Sequence, residues 1–226
     1  MTSNVPENQT HKRLLLVGAT GLVGKEVMRQ ALSNPQVVSV VAPVRRQLTV
    51  YPSLNAHPKL HAPIVDFDQL SGTEDWWEVD AVICTLGTTM RKAASREAFF
   101  TVDHDYPLAV AHFARLHGTP TYALNSAVGA DPDSRFFYNR TKGKLEHALR
   151  GVGFESLTFV RPGLIGGQRD EFRFGERVAA ALLKISGPIL PRRWRINPAE
   201  KIARALLDAA LRAPQGAHIV DSAELA

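Results

Sequence analysis

The chain has 226 residues, 45% of them hydrophobic and 22% charged, with a formal net charge of +5. This suits one domain with a full core; it excludes a disordered chain, and 16 Gly and 14 Pro without a period exclude a collagen-like one. The single cysteine excludes a disulfide framework or a cysteine-based zinc site, and the modest charge does not mark a nucleic-acid binder.

Met1 to His11 is polar and lacks the apolar core of a secretory signal, and no apolar run approaches the roughly 20 residues that cross a bilayer. The expectation is a cytoplasmic protein with no membrane or nucleic-acid partner. From there short β-branched runs alternate with longer amphipathic stretches. Strands are predicted at Arg13–Val17, Val37–Val41, Lys59–Val65, Ala81–Leu86, Thr121–Leu124, Leu157–Val160 and His218–Val220. Helices are predicted at Leu22–Ser33, Arg96–His117, Arg135–Arg150, Glu176–Ser186 and Pro198–Arg212. Several strand runs are apolar throughout, as in a parallel sheet covered on both faces. The expected fold class is α/β: an N-terminal tail (1–11), then a single doubly wound domain (12–226) with a mostly parallel sheet of about seven strands.

Gly118 predicts a left-handed helix cap, with Pro120 as a stop, and Asn197-Pro198 predicts a capping side chain before a first-turn proline. Cys84, in an apolar run, is expected to be buried. Trp76-Trp77 reads as core, with a partner-binding patch as the other reading. The stretch from Gly166 to Arg195 breaks the alternation, so 166–197 is the candidate substrate-covering lid.

The first strand runs into Gly18-Ala19-Thr20-Gly21-Leu22-Val23-Gly24 and then a helix. In this G-x-x-G-x-x-G spacing, glycines permit a tight turn, close backbone approach to a pyrophosphate and close helix packing, and the helix N-terminus offers unpaired N–H groups. The candidate cradle is Gly18, Thr20, Gly21, Leu22, Val23 and Gly24. An ATPase loop fails, because Ala19 and Glu26 stand where that motif needs Gly and Ser or Thr. After the second strand the chain reads Val44-Arg45-Arg46, with no acid to bond ribose hydroxyls. Guanidinium groups grip a 2′-phosphate where a carboxylate repels it, so the expected cofactor is NADP(H). The plainer reading of Arg45 and Arg46 is two solvated surface cations.

Tyr138 and Lys142 lie four residues apart, on one helix face. The ammonium favours the phenolate, so Tyr138 can exchange a proton with an alcohol or carbonyl. Ser126 follows the strand Thr121–Leu124, at the carboxyl end where ligands gather in open α/β sheets, and is expected to orient the substrate oxygen. Ser126, Tyr138 and Lys142 are the candidate catalytic residues.

Together, Gly18–Gly24, Ser126, Tyr138 and Lys142 resemble the short-chain dehydrogenase/reductase superfamily in its atypical branch, whose domain is a Rossmann fold. Finer features are similar to the Tat-interacting-protein subfamily of NADPH-binding oxidoreductase-like proteins: Cys84-Thr85-Leu86-Gly87-Thr88-Thr89, the stretch Asn125–Asp131, the run Phe137–Glu146 and Arg161-Pro162-Gly163. The resemblance implies that Asp66 and Phe67 approach the adenine and that Leu86, Gly87 and Thr88 line the central phosphates and ribose. It also implies that Lys142 holds the nicotinamide ribose and that Pro162, Gly163, Leu164 and Ile165 run beside the carboxamide. Asp103 stands where the superfamily often has Asn, which puts a water relay there in doubt. Superfamily dimers pair helices such as Arg96–His117 and Arg135–Arg150 while atypical members can be monomers, so monomer and homodimer both stay open.

Other chemistries fare worse. Ser126 lacks the glycines of a hydrolase elbow; Pro58 separates His57 from His61, and His112 and His117 are out of helical phase for a metal pair. Arg192-Arg193-Trp194-Arg195 reads as a solvated cluster or one wall of an acidic-substrate pocket. The expected function is therefore an NADP(H)-dependent oxidoreductase acting on a small carbonyl or alcohol. The alternatives are an NADPH-holding redox sensor without turnover and, as a minor one, a nucleotide-sugar epimerase.

Overall fold

A computed structural model of the chain describes residues 11–47, 56–166 and 196–226. In chain order the elements are β1 (Lys12–Val17), α1 (Leu22–Ser33), β2 (Val37–Val41), β3 (Leu60–His61), β4 (Ala81–Cys84), α2 (Met90–Ala93), α3 (Arg96–Phe100) and α4 (Tyr106–Leu116). They continue with β5 (Thr121–Asn125), α5 (Phe137–Arg150), β6 (Ser156–Arg161), β7 (Ile165–Gly166), β8 (Asn197–Pro198), α6 (Ala199–Arg212) and β9 (Gly216–Asp221). Seven strands form one sheet in the order β3-β2-β1-β4-β5-β6-β9, every pair parallel, and β7 and β8 form a separate parallel pair. The reversal of strand order beside β1 opens a crevice at the carboxyl ends, the position of the dinucleotide site in doubly wound sheets.

Side chains alternate across the sheet, as strand geometry demands. Leu14, Leu16, Ala81, Ile83, Ala123 and Val160 pack against α1 and α6 on one face. Leu15, Val17, Val82, Cys84, Tyr122, Leu124 and Phe159 pack against α4, α5 and the tryptophan pair on the other. Both faces are covered, which explains the uninterrupted apolar runs. Cys84 is fully buried, and burial pushes its thiol above the ordinary range. Trp77 lies in the core, its indole N–H bonded to Glu74 and the Ser71 carbonyl and its ring against Phe113.

The expected strand Lys59–Val65 is reduced to Leu60–His61, because Pro63 brings no N–H to the ladder. Pairing resumes as one bridge, Val44 with Ile64. The fourth strand ends at Cys84, two residues earlier than expected. The single helix expected over Arg96–His117 contains a π-helical turn, Thr101–Asp105, between α3 and α4. Gly118 has φ +84° and donates its N–H to Arg115 O, as a left-handed helix end does. Asn197 does not cap α6, whose first residue follows Pro198. Its buried amide instead accepts from Gly163 N–H at 2.7 Å and from Ser222 Oγ at 2.8 Å, and donates to Ser222 O at 2.9 Å. The tail to residue 10, the helix expected at Glu176–Ser186, Arg192–Arg195 and the candidate lid beyond Gly166 as far as Arg195 lie outside the described residues.

Candidate functional site

The glycine turn leaves β1 against the backbone that follows β4. Gly18 has φ +88°, and a Cβ there would stand 2.6 Å from the Thr85 carbonyl carbon. A Cβ on Gly24 would stand 2.1 Å from Gly18 O, and one on Gly21 would still press on the same oxygen, at 3.3 Å. Thr85 Oγ1 donates to the Val17 and Gly18 carbonyls at 3.0 and 3.1 Å, tying the turn to the next strand. No side chain caps α1 at Gly21 and no acid lies in its first turn, so the first N–H groups and the positive dipole end face the crevice. Thr20 and Gly21 are exposed, whereas the Val23 side chain is in the core, so Val23 reaches the crevice through its backbone alone.

Arg45 and Arg46 lie exposed just beyond β2. Asp66 Oδ1 accepts from Asp68 N–H at 3.0 Å to start a tight turn, and Phe67 is buried with its ring 5.5 Å from that of Tyr106. Tyr106 Oη donates to Asp68 Oδ1 at 2.6 Å. Desolvation, then this carboxylate, pushes the Tyr106 phenol up to about 12.

Beyond β4, Leu86, Gly87 and Thr88 cross above a buried ion pair. Asp103, carried inward by the π-helical turn, holds Lys142 Nζ at 2.8 Å through Oδ1 and accepts Thr88 N–H at 2.7 Å through Oδ2. Burial works against the charge on Lys142, but Asp103 and Tyr138 outweigh it, and the ammonium is held above its ordinary range.

On α5, Tyr138, Lys142 and Glu146 follow one another at four-residue steps on one face. Tyr138 is half-exposed, with its ring edge-on to Phe99. Gly143 lets the helix press on the Asp131–Pro132 backbone, where a Cβ would stand 2.1 Å from Asp131 C. Asn139 bonds the Val128 and Gly129 carbonyls, and Val128 N–H bonds Pro162 O, so the loop after β5 is fastened to α5 and to the end of β6. Ser126 is buried; its hydroxyl donates to Glu146 Oε1 at 2.6 Å. Arg161 grips that carboxylate through Nε at 3.0 Å and Nη2 at 2.5 Å. Ser126 therefore has no free proton for a substrate carbonyl; its remaining lone pairs are its polar offering.

The expected residues thus follow the carboxyl ends of β1, β2, β3, β4, β5 and β6, with Tyr138 and Lys142 on α5. Sequence reasoning missed Thr85, Glu146 and Arg161. Glu146 was the readable one, because a carboxylate in helical phase with Tyr138 and Lys142 needs a buried partner.

No family model matches the chain. It is 34% identical over 208 residues to the protein fmp52, mitochondrial, of Emericella nidulans, covering 89% of this chain and 88% of that one. Over 202 residues it is 33% identical to HTATIP2 of Rattus norvegicus, covering 88% and 81%. The chain belongs to the fmp52 and HTATIP2 family. The fold is shared with an oxidoreductase of the short chain dehydrogenase/reductase family from Burkholderia thailandensis, which superposes with TM-score 0.65 at 20% identity, covering 96% of this chain and 94% of that one. WbmH of Bordetella bronchiseptica, solved in complex with NAD+, gives TM-score 0.67 at 14% identity, covering 93% and 75%.

The cytoplasmic expectation is overturned. The fmp52 relatives from Emericella nidulans, Coccidioides immitis and Aspergillus fumigatus are all named as mitochondrial. The absence of an apolar secretory core bears on secretion alone, since mitochondrial transit sequences are amphipathic and carry none.

Proposed function

We propose that this member of the fmp52 and HTATIP2 family is an NADP(H)-dependent oxidoreductase acting on a small carbonyl or alcohol, with Tyr138 as its general acid and base. The observation that carries the reading is the half-exposed Tyr138 phenol one helical turn from Lys142, whose ammonium lies under the Leu86–Thr88 loop. The cradle fits a dinucleotide: any side chain on Gly18 or Gly24 would collide with backbone, and the α1 N-terminus is uncapped. When bound, the nicotinamide supplies or accepts the hydride.

The chain's own residues do the rest. Backbone N–H groups of Leu22, Val23 and Gly24 take phosphate charge, and Arg45 and Arg46 take the 2′-phosphate. Asp66 and Phe67 form the adenine end, Leu86, Gly87 and Thr88 line the middle, and Pro162 to Ile165 flank the ring. Tyr138 Oη gives its proton to the substrate oxygen during reduction and receives one during oxidation. Lys142, kept charged beside Asp103, favours the phenolate and faces the ribose. Ser126 offers a lone pair to the oxygen's hydrogen once the alcohol has formed.

Because Ser126 gives its proton to Glu146, one donor rather than two faces a carbonyl, and this favours a second reading, a dinucleotide-holding sensor without turnover. Titration with NADPH and NADH followed by a carbonyl panel separates the two. Wild type oxidises NADPH with at least one carbonyl, and Tyr138→Phe loses that turnover while keeping its NADPH affinity. Equal turnover in the variant removes Tyr138 from the chemistry, and binding without turnover leaves the sensor.

A further inference from the structure

The π-helical turn Thr101–Asp105 has a specific result. Its wider winding interrupts an otherwise α-helical run of the chain, and such turns recur at functional sites. Here it delivers Asp103 into the sheet-facing layer, where the carboxylate is 1% exposed and spans two partners, the Thr88 N–H and the Lys142 ammonium. Folding does not require such a pair, since apolar side chains of similar volume replace buried ion pairs without loss of stability in many proteins. The roof above it is Gly87: a Cβ there would stand 3.4 Å from Asp103 Oδ1 and 3.9 Å from Lys142 Nζ. A methyl there would lie in van der Waals contact with the pair, so glycine lays loop backbone rather than a side chain over the ammonium. An ammonium has three donor directions, and Asp103 is the one charged group in contact with it among the described residues.

We infer that Asp103 is a positioning residue, fixing Lys142 beneath the Leu86–Thr88 loop so that the ammonium is aimed at the ribose on the nicotinamide side before any cofactor arrives. The inference rests on the dinucleotide reading above and assigns Asp103 to one half of that ligand. Asp103→Asn separates its two contacts. The amide oxygen still accepts Thr88 N–H, while the amide NH2 faces the ammonium donor against donor and displaces it.

The test is calorimetric titration of NADPH, which carries the nicotinamide ribose, and of 2′,5′-ADP, which lacks it. In Asp103→Asn, NADPH affinity falls about tenfold, the loss of a hydrogen bond to a charged group, while 2′,5′-ADP affinity stays within about twofold. Added to Lys142→Met, the Asn substitution changes NADPH affinity no further, because a residue acting through another has no effect once that other is gone. An Asp103→Asn protein with wild-type NADPH affinity, an equal loss for both ligands, or full additivity with Lys142→Met overturns the inference. If the single variant fails to fold, Asp103→Glu, which keeps the charge but shifts its reach, carries the test: it keeps 2′,5′-ADP affinity and loses NADPH affinity severalfold, and wild-type NADPH affinity there overturns the inference. Wild-type protein that binds neither probe removes the dinucleotide reading and this inference with it.

Discussion

Glu146 stands between Ser126 and Arg161, accepting the serine hydroxyl on one oxygen and the guanidinium on both. Its hydrogen bond is the largest influence on Arg161, holding the guanidinium above its ordinary range. The serine proton is thereby held within the protein, leaving Ser126 only its lone pairs to offer. Ser126→Ala accordingly costs turnover less than about tenfold, against the roughly 10² to 10⁴ expected for loss of the acid–base group in Tyr138→Phe. Glu146→Ala leaves Arg161 without its partner and costs about 3 kcal/mol, the lower end for a broken buried pair because Arg161 is partly exposed. Steady-state NADPH oxidation checks the first expectation and thermal unfolding the second.

Two glycines with no side-chain need of their own separate site from scaffold. Gly24→Ala drives a methyl into the Gly18 carbonyl, so NADPH binding is lost and stability falls by about 1 to 3 kcal/mol, as for overpacking. Gly118→Ala has open space around the new methyl but a φ of +84°, so it costs about 1 kcal/mol and leaves NADPH affinity unchanged. Calorimetry and urea unfolding on both variants give the comparison.

Tyr106 produces a pH signature beside Phe67 and Asp68. Its folded phenol is pushed up to about 12 from an ordinary 10.0, so between those values the native state keeps a proton that the unfolded chain has lost. Stability from this group is complete below pH 10 and declines as pH rises toward 12. Tyr106→Phe flattens that part of the curve, measured as the urea midpoint at successive pH values. An unchanged slope in the variant would assign the alkaline loss elsewhere, Lys142 being the next group to examine.

Cofactor choice is tested at the end of β2. Arg45→Glu with Arg46→Glu weakens NADPH by at least about tenfold and leaves NADH within about twofold, since only the former carries the 2′-phosphate. Equal losses would show that the arginines do not contact that group.

The parts of the fold legible in the sequence were those governed by local pattern. The helix expected at Leu22–Ser33 matches α1 at both ends, because Val23, Val27, Met28, Ala31 and Leu32 repeat in helical phase and Pro35 follows at once. What escaped depended on long-range partners. Asn197 had every local sign of a cap, but burial gave it stronger partners in Gly163 and Ser222. The π-helical turn leaves the apolar spacing of its helix readable as ordinary, and the pairing of Asp103 with Lys142 that it carries joins residues thirty-nine apart. Ser126 was correctly placed at a strand end, while the direction of its hydroxyl depended on Glu146, twenty residues away.

The Asn197 amide has one more result. Gly163, Leu164 and Ile165 bond to the chain at Asn197, and the same amide holds Ser222 beyond β9. One side chain therefore welds three stretches far apart in sequence, the exit of β6, the entry to α6 and the turn after β9, so that its removal loosens all three together.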